Sequence, residues 1–137
     1  MFDLPQLSIR IESPSSGTLK GIIAESGPLD TAGDTADLFA PNSEFLVARL
    51  DGRPVGCIAL LDHVRYGEAR RLYVVEEMRG KGIAAALVTA LEGAAREIGL
   101  TSLRLNTKAS HHRIETFAGF GFRAAEGSGA AWMEKRL

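Results

Sequence analysis

Residues 72–87 read LYVVEEMRGKGIAAAL, and no other segment says as much about the architecture. An apolar strand runs into a short acidic turn, then into RGKGIA (residues 79–84), and then into a helix rich in alanine and leucine. Glycine allows a close backbone approach because it has no Cβ atom. The first N–H groups of a helix lack partners inside it, and the helix dipole favours negative charge there. With the charges of Arg79 and Lys81, this turn predicts an anion site, most naturally for phosphate.

The sequence on either side of this turn predicts an alternation of strands and helices. Strands are predicted at Gln6 to Glu12, Phe45 to Leu50, Val55 to Leu61, Glu68 to Val75 and Ser102 to Asn106, with a terminal pair near Phe122 to Ala125 and Ala131 to Lys135. Helices are predicted at Leu19 to Glu25, about Asp30 to Phe39, Ile83 to Ile98 and Ser110 to about Ala118. The order βααβββαβαββ predicts one α/β domain over residues 1–137, a mixed sheet of six to seven strands with helices on both faces.

Composition narrows the class of protein. The chain has 137 residues, 45% of them hydrophobic, which suits one folded core. Its net charge of −1 argues against nucleic-acid binding by bulk attraction. Cys57 is the single cysteine, so neither an intrachain disulfide nor a zinc cluster of cysteines is expected. The first residues do not read as a secretory signal, and no apolar run approaches the ~20 residues that span a bilayer. We therefore expect a cytoplasmic protein with no membrane or nucleic-acid partner and no metal site.

This order of elements resembles the GCN5-related N-acetyltransferase (GNAT) superfamily. The resemblance covers nearly the whole chain, most firmly Glu44 to Phe122. The family signature Arg/Gln-x-x-Gly-x-Gly/Ala is matched by Arg79, Gly82 and Ala84, and a strand, a helix and Gly121-Phe122 follow it. The resemblance implies the GNAT acyl-CoA N-acyltransferase fold. It also implies an N-acetyltransferase that takes acetyl-CoA as co-substrate and a small-molecule or peptide amine as acceptor.

The resemblance also implies how CoA is held. The pyrophosphate would lie on the N–H groups of about Arg79 to Ala84. The pantetheine arm would pair with a strand that bulges and separates from its neighbour, and one backbone N–H there would polarise the thioester carbonyl. Arg113 would contact CoA phosphate or remain a surface charge. The predicted cofactor-binding residues are Leu72, Tyr73, Val74, Arg79, Gly80, Lys81, Gly82, Ile83, Ala84 and Arg113.

Catalysis by direct attack needs a base, because an ammonium cannot attack a thioester. Glu68 is the predicted base, since several family members carry a glutamate at the matching place. The alternative is a strand-edge glutamate paired with Arg70, Arg71 or solvent.

The acid that protonates the leaving thiolate is harder to assign. Phe117 stands where the family often has tyrosine, and phenylalanine has no proton to give. Ser110 stands where asparagine is common. Water, Ser110, His111 or His112 would then protonate the thiolate. The histidines would otherwise cap the helix and face solvent. The predicted catalytic residues are Glu68, Ser110 and His111.

The nature of the acceptor stays open. Five acids, Glu25, Asp30, Asp34, Asp37 and Glu44, would attract a cationic amine if they roof the acceptor cleft, or form a solvated helix face. Three arginines, Arg10, Arg70 and Arg71, would favour an acceptor with a carboxylate. Strand edges near the C-terminus would permit a homodimer.

Two other functions compete with the N-acetyltransferase hypothesis. The first is a CoA-binding module without catalysis, suggested by Phe117. The second is a nucleotide-phosphate enzyme, which is weaker because Gly80-Lys81-Gly82 lacks the spacing of a Walker loop. Cys57 is predicted to be a buried, inert thiol. Trp132 is predicted to be a core residue, with a wall of the acceptor pocket as the alternative.

Overall fold

The computed structural model describes residues 6–12, 17, 21, 43–108, 110–125 and 131–137. The elements in this part of the chain are β1 (Leu7–Glu12), β2 (Ser43–Leu50), β3 (Arg53–Asp62), β4 (Gly67–Val74), a 3-10 helix (Glu76–Met78), α1 (Ile83–Glu97), β5 (Ser102–Asn106), α2 (His111–Gly119), β6 (Arg123–Ala124) and β7 (Trp132–Arg136). The two helices predicted at Leu19 to Glu25 and about Asp30 to Phe39 lie outside the described residues, apart from Gly21, which is helical.

The seven strands form one mixed sheet with the order β1-β2-β3-β4-β5-β7-β6. The β4–β5 pair is parallel, and the other neighbouring strands are antiparallel. Helix α1 connects the two parallel strands, as such a crossover requires. The predicted mixed sheet is therefore confirmed. No helix in the described ranges is long and apolar enough to cross a membrane.

The central strands bury side chains on both faces, because successive residues of a strand point to opposite sides. On β3, Ile58 and Leu60 belong to the larger cluster, which also contains Leu87 and Leu91 of α1. Cys57, Ala59 and Leu61 belong to a separate cluster on the opposite face. Leu87 and Leu91 have no exposed surface, and burying each stabilises the fold by about 1.5–3 kcal/mol. Both faces of the sheet are thus buried at its central strands.

Strands β4 and β5 separate soon after they meet. They pair only at Gly67–Leu103 and Glu68–Arg104. On the other side of β4 the register with β3 shifts, since Cys57 pairs with Tyr73 but Ala59 pairs with Arg70. One extra residue therefore lies in β4, which makes a β-bulge. The bulge contains Arg71, whose φ of 55° is left-handed. The predicted bulge and strand separation are both present.

Candidate active site

A cleft of about 390 Å³ lies where β4 leaves β5. Its walls come from β3, β4, β5, α2 and β7. The lining residues are Ile58, Glu68, Ala69, Arg70, Arg71, Leu72, Tyr73, Leu105, Asn106, Lys108, His112, Arg113, Thr116, Phe117 and Trp132. The cleft is therefore a direct consequence of the short β4–β5 pairing.

The bend between β4 and α1 is open to solvent. Gly80 and Gly82 are exposed and have φ values of 78° and 85°, and a Cβ atom on either would meet nothing within 4 Å. Among the described residues, none accepts a hydrogen bond from the backbone N–H groups of Gly80 to Ala84. The N–H of Arg79 differs, because it donates to the Glu76 carbonyl at 3.2 Å. The N–H groups of Gly80 to Ala84 are thus available for the predicted anion site, whereas the N–H of Arg79 is already hydrogen-bonded to Glu76.

The side chain of Arg79 ties this bend to the end of β4. Its Nε–H donates to the Val74 carbonyl oxygen at 2.9 Å. Its guanidinium carbon lies 5.7 Å from the ring centre of Tyr73. A charged donor bonded to a backbone carbonyl fixes the bend and keeps positive charge beside it. Lys81, exposed in the same bend, adds a second positive charge.

The three β4 residues predicted to hold pantetheine divide into two groups. Leu72 and Tyr73 line the cleft. Val74 is 8% exposed and packs into the cluster beneath α1, and its carbonyl oxygen accepts from Arg79. Its side chain points to the core because strand residues alternate. The cleft therefore presents Leu72 and Tyr73, and Val74 supports the bend.

Glu68 is buried at the point where β4 and β5 begin to separate, and it lines the cleft. Its Oε2 accepts from Arg70 Nε at 2.6 Å, and its Oε1 lies 2.8 Å from His63 Nε2. Both carboxylate oxygens are thus fixed by short, charge-assisted contacts. The pairing with Arg70 that the sequence offered as an alternative is present, and Glu68 also lines the cleft.

His63 was missed by the sequence reasoning. It lies in the turn between β3 and β4, and nothing in its immediate sequence suggests a role. The available signal was the hairpin itself. Leu61 pairs with Glu68 and Asp62 pairs with Gly67, so His63, two residues beyond Leu61, is a diagonal neighbour of Glu68 on the same face, within reach of a long side chain.

Comparison with known proteins shows the family to which the chain belongs. The profile of the Acetyltransferase (GNAT) family matches residues 18–122. This chain belongs to the GNAT family. An IAA acetyltransferase of Azospirillum brasilense is 36% identical over 115 residues, which are 76% of this chain and 75% of that protein. The predicted family is therefore confirmed, and the protein is an acyltransferase by family.

Solved structures agree with the fold. A GNAT family N-acetyltransferase from Escherichia coli in complex with CoA is 21% identical, with a TM-score of 0.77 over 99% of this chain and 84% of that one. A GNAT family acetyltransferase from Elizabethkingia anophelis with acetyl-CoA bound is 15% identical, with a TM-score of 0.77 over 96% and 98%. The predicted GNAT acyl-CoA N-acyltransferase fold is confirmed.

At the start of α2 this GNAT protein brings some predicted residues to the cleft and leaves others outside. Ser110 is the N-cap, and its Oγ accepts from the Arg113 N–H at 3.4 Å. The His111 side chain is 87% exposed and lies 3.0 Å from Glu115. Neither lines the cleft, whereas His112 and Arg113 do. Adjacent helix residues point about 100° apart, so His112, although exposed, borders the cleft where His111 does not. The geometry favours the solvent-facing alternative for His111 and makes Ser110 the cap of the helix.

Phe117, the residue predicted to stand where the family often has tyrosine, lies at the cleft. It is 8% exposed, lines the cleft, and makes edge-to-face contacts with Phe120 and Phe122 at ring-centre distances of 5.7 and 5.4 Å. Such contacts hold the ring without any polar group. Trp132 also lines the cleft and is half-buried, which favours a wall over a place in the core.

Cys57 is buried, and burial raises its thiol pKa to about 12, against a smaller opposing effect of Arg71. A thiol that stays protonated is a poor nucleophile, as predicted. No group of three or more His, Cys, Asp or Glu in the described ranges is arranged to hold a metal ion.

Proposed function

We propose that this GNAT protein is an N-acetyltransferase that transfers the acetyl group of acetyl-CoA to a primary amine of a small molecule or peptide. The observation that carries the proposal is the open run of N–H groups from Gly80 to Ala84, adjoining a strand that has left its parallel neighbour. Backbone N–H groups at a helix N-terminus suit a diphosphate. The part of β4 at Leu72 and Tyr73, where the described strand β5 no longer pairs with it, suits an amide-rich arm.

The comparisons support CoA as the ligand of this cradle. Both the Escherichia coli and the Elizabethkingia anophelis structures contain CoA or acetyl-CoA. In the present chain, the main-chain N–H groups of Gly80 to Ala84 would bind the diphosphate of the same class of ligand. Arg79 and Lys81 supply positive charge there, and Arg113 supplies it from the facing helix.

The proposed reaction is direct attack. The amine nitrogen bonds to the thioester carbonyl carbon, the C–S bond breaks, and CoA leaves as a thiolate. Glu68 lines the cleft and takes the proton that the ammonium must lose before attack. Phe117 cannot protonate the thiolate, and a thiol with a pKa near about 8.5 can take its proton from water.

The charges of the described cleft bear on the acceptor. Four basic side chains, Arg70, Arg71, Lys108 and Arg113, line it beside one acid, Glu68. Of the five acids predicted to roof the cleft, Glu25, Asp30, Asp34 and Asp37 lie outside the described residues, and Glu44 on β2 is not among the lining residues. This balance favours an amine that also carries a carboxylate over a polycation.

Two assays test the proposal. Thermal unfolding with millimolar acetyl-CoA should raise Tm, and the same concentration of ATP should not. Thiol release should then appear with at least one member of an amine panel that pairs amino acids with their decarboxylated amines. IAA, the compound in the name of the Azospirillum brasilense relative, belongs in the same panel. Absence of any stabilisation by acetyl-CoA would contradict the proposal.

A CoA-binding module without catalysis is the second candidate, and Phe117 is the observation that favours it. It predicts stabilisation by acetyl-CoA without thiol release across the whole panel. Phe117→Tyr separates the two, because a hydroxyl at this lining position would supply the missing acid. Thiol release that appears only in this variant would favour the module.

A further inference from the structure

Glu68 has two hydrogen-bonded partners in the described part of the chain, and only one of them can take a proton. Oε2 is held by Arg70 Nε at 2.6 Å, and Oε1 lies 2.8 Å from His63 Nε2. A guanidinium stays protonated in proteins and offers no acceptor, whereas a neutral imidazole has one acceptor nitrogen. A proton that reaches Glu68 therefore has one hydrogen-bonded way out, through His63.

The pair also joins the buried cleft to solvent. The Glu68 side chain is 5% exposed and that of His63 is 34% exposed. The next residue in the turn, Val64, is 86% exposed. His63 is not a lining residue of the cleft, so its imidazole lies between the carboxylate and bulk water.

The turn holds the imidazole in place with several contacts. The His63 N–H donates to the Tyr66 carbonyl at 3.0 Å, and the two rings stack with centres 4.9 Å apart at 30°. Asp62 Oδ1 accepts from the Val64 N–H at 2.7 Å. Val64 has a φ of 71°, which for a β-branched residue costs on the order of 1–3 kcal/mol. Such backbone strain persists only where the surrounding structure holds the chain in place. Here the contacts of the turn and of the His63 ring do so.

The elements around the pair carry several charged residues, of which Arg70 on β4 contacts Glu68 directly. The others are Arg104 on β5, Glu134 on β7, and Asp62 and Arg65 in or beside the turn. The Arg104 guanidinium lies 4.8 Å from the Tyr66 ring centre and 3.6 Å from Glu134. Within the described ranges, Glu68 is the only charged side chain hydrogen-bonded to the imidazole.

We propose that His63 is the exit for the proton taken from the acceptor amine, which rests on the proposed function. The ammonium gives its proton to the Glu68 carboxylate. In the resting state Nε2–H donates to Oε1. Once Glu68 is protonated, exchange of the ring with water gives the Nδ1–H tautomer, and the Nε2 lone pair takes the proton from Oε1. The imidazolium then releases its Nδ1 proton to water, which restores the starting tautomer. Only N–H and O–H bonds change, and one proton leaves for each amine deprotonated.

His63→Gln tests this step, with acetyl-CoA and the most active amine of the panel as probes. The amide keeps a donor toward Glu68 but cannot carry a proton. We expect kcat to fall by about 10²-fold, the lower end of losses in acid–base catalysis, with little change in KM for acetyl-CoA. The pH profile of kcat should differ from that of wild type, and added imidazole should restore activity. Glu97→Gln, an exposed residue at the end of α1, is the control and should leave kcat unchanged.

A positioning role alone would not produce rescue by imidazole. Wild-type kcat and pH profile in His63→Gln, or a loss that imidazole does not restore, would overturn the proposal. Long-range ¹H–¹⁵N spectra give a second readout that needs no acceptor and no change at His63. The imidazole ¹⁵N shifts of His63 should change in Glu68→Gln, because the contact of Nε2 with Oε1 at 2.8 Å is altered, and unchanged shifts would overturn the proposal. Failure of the proposed function would give a different result, because the wild-type protein would then release no thiol with any amine.

Discussion

The bend at Gly80 to Ala84 and the pair formed by Glu68 and His63 have separate roles in the proposed reaction, and they are built in opposite ways. Gly80 to Gly82 of the bend are exposed, and the groups that the bend offers to a ligand are main-chain N–H groups. The pair uses side chains, and its carboxylate is almost fully buried. A main-chain site depends on backbone conformation, whereas a side-chain site depends on which residues tertiary structure brings together. Substitutions should therefore affect binding at the first and turnover at the second.

Glu68→Gln should give the largest effect, on turnover alone. Removal of a general base lowers rates by about 10²–10⁴-fold. We expect kcat to fall within that range and the Kd for acetyl-CoA to stay the same, because the bend is untouched. Steady-state kinetics and calorimetry measure the two quantities. Unchanged kcat across pH would remove Glu68 from the mechanism.

Gly82→Ala should act on the other region. The φ of 85° at Gly82 is left-handed, and an L-residue there costs about 1–2 kcal/mol. We expect acetyl-CoA to bind about tenfold more weakly, with kcat at saturation nearly unchanged. Gly93→Ala is the control. Gly93 lies inside α1 with open space around its Cα, so alanine there should raise Tm and leave binding alone. Equal effects of both variants on binding would contradict the role of the bend.

Arg79→Lys should have a smaller effect, because it keeps the charge but loses the bond from Nε to the Val74 carbonyl. One such hydrogen bond is worth about 0.5–1.5 kcal/mol, so acetyl-CoA affinity should fall several-fold. Arg53→Lys is the matched control, an exposed arginine paired with Glu77, and should change affinity little. Wild-type affinity in Arg79→Lys would show that the bend holds its shape without this side chain.

The smallest effect is expected at Cys57. Its raised pKa, about 12, keeps the thiol protonated in the folded state. Iodoacetamide should leave native protein unlabelled at pH 8 and label it on unfolding. In the unfolded chain the thiol is solvated and its pKa returns to the ordinary value of 9.0. The folded state therefore holds this proton more tightly, and it loses stability as pH rises from 9 toward 12. Rapid labelling of native protein would contradict the burial of this face of the sheet.

The contrast between the two regions explains what the sequence could predict. Gly80 and Gly82 need left-handed backbone and sit between a strand and a helix, so local sequence was enough to predict the bend. The succession of strands and helices along the described chain followed from the pattern of apolar residues and from turns such as Asp51-Gly52. His63 carried no local signal, because its role arises only when the turn sets it 2.8 Å from Glu68.

The start of α2 shows a second limit. Four consecutive polar residues, Ser110 to Arg113, offered candidates without a choice among them. The rotation of the helix decides which of them face the cleft, and a one-residue error in that rotation turns a side chain by about 100°. Sequence alone therefore favoured His111, whereas the cleft is lined by His112.

Amide chemical shifts measure most directly whether main-chain N–H groups in the bend hold the diphosphate of CoA. ¹H–¹⁵N spectra would be recorded during titration with CoA and, separately, with pantetheine, which lacks the diphosphate. CoA should shift the amides of Gly80 to Ala84 strongly, and pantetheine should shift those of Leu72 and Tyr73 while leaving the bend unchanged. Bend amides that stay in place when CoA is bound would contradict the account.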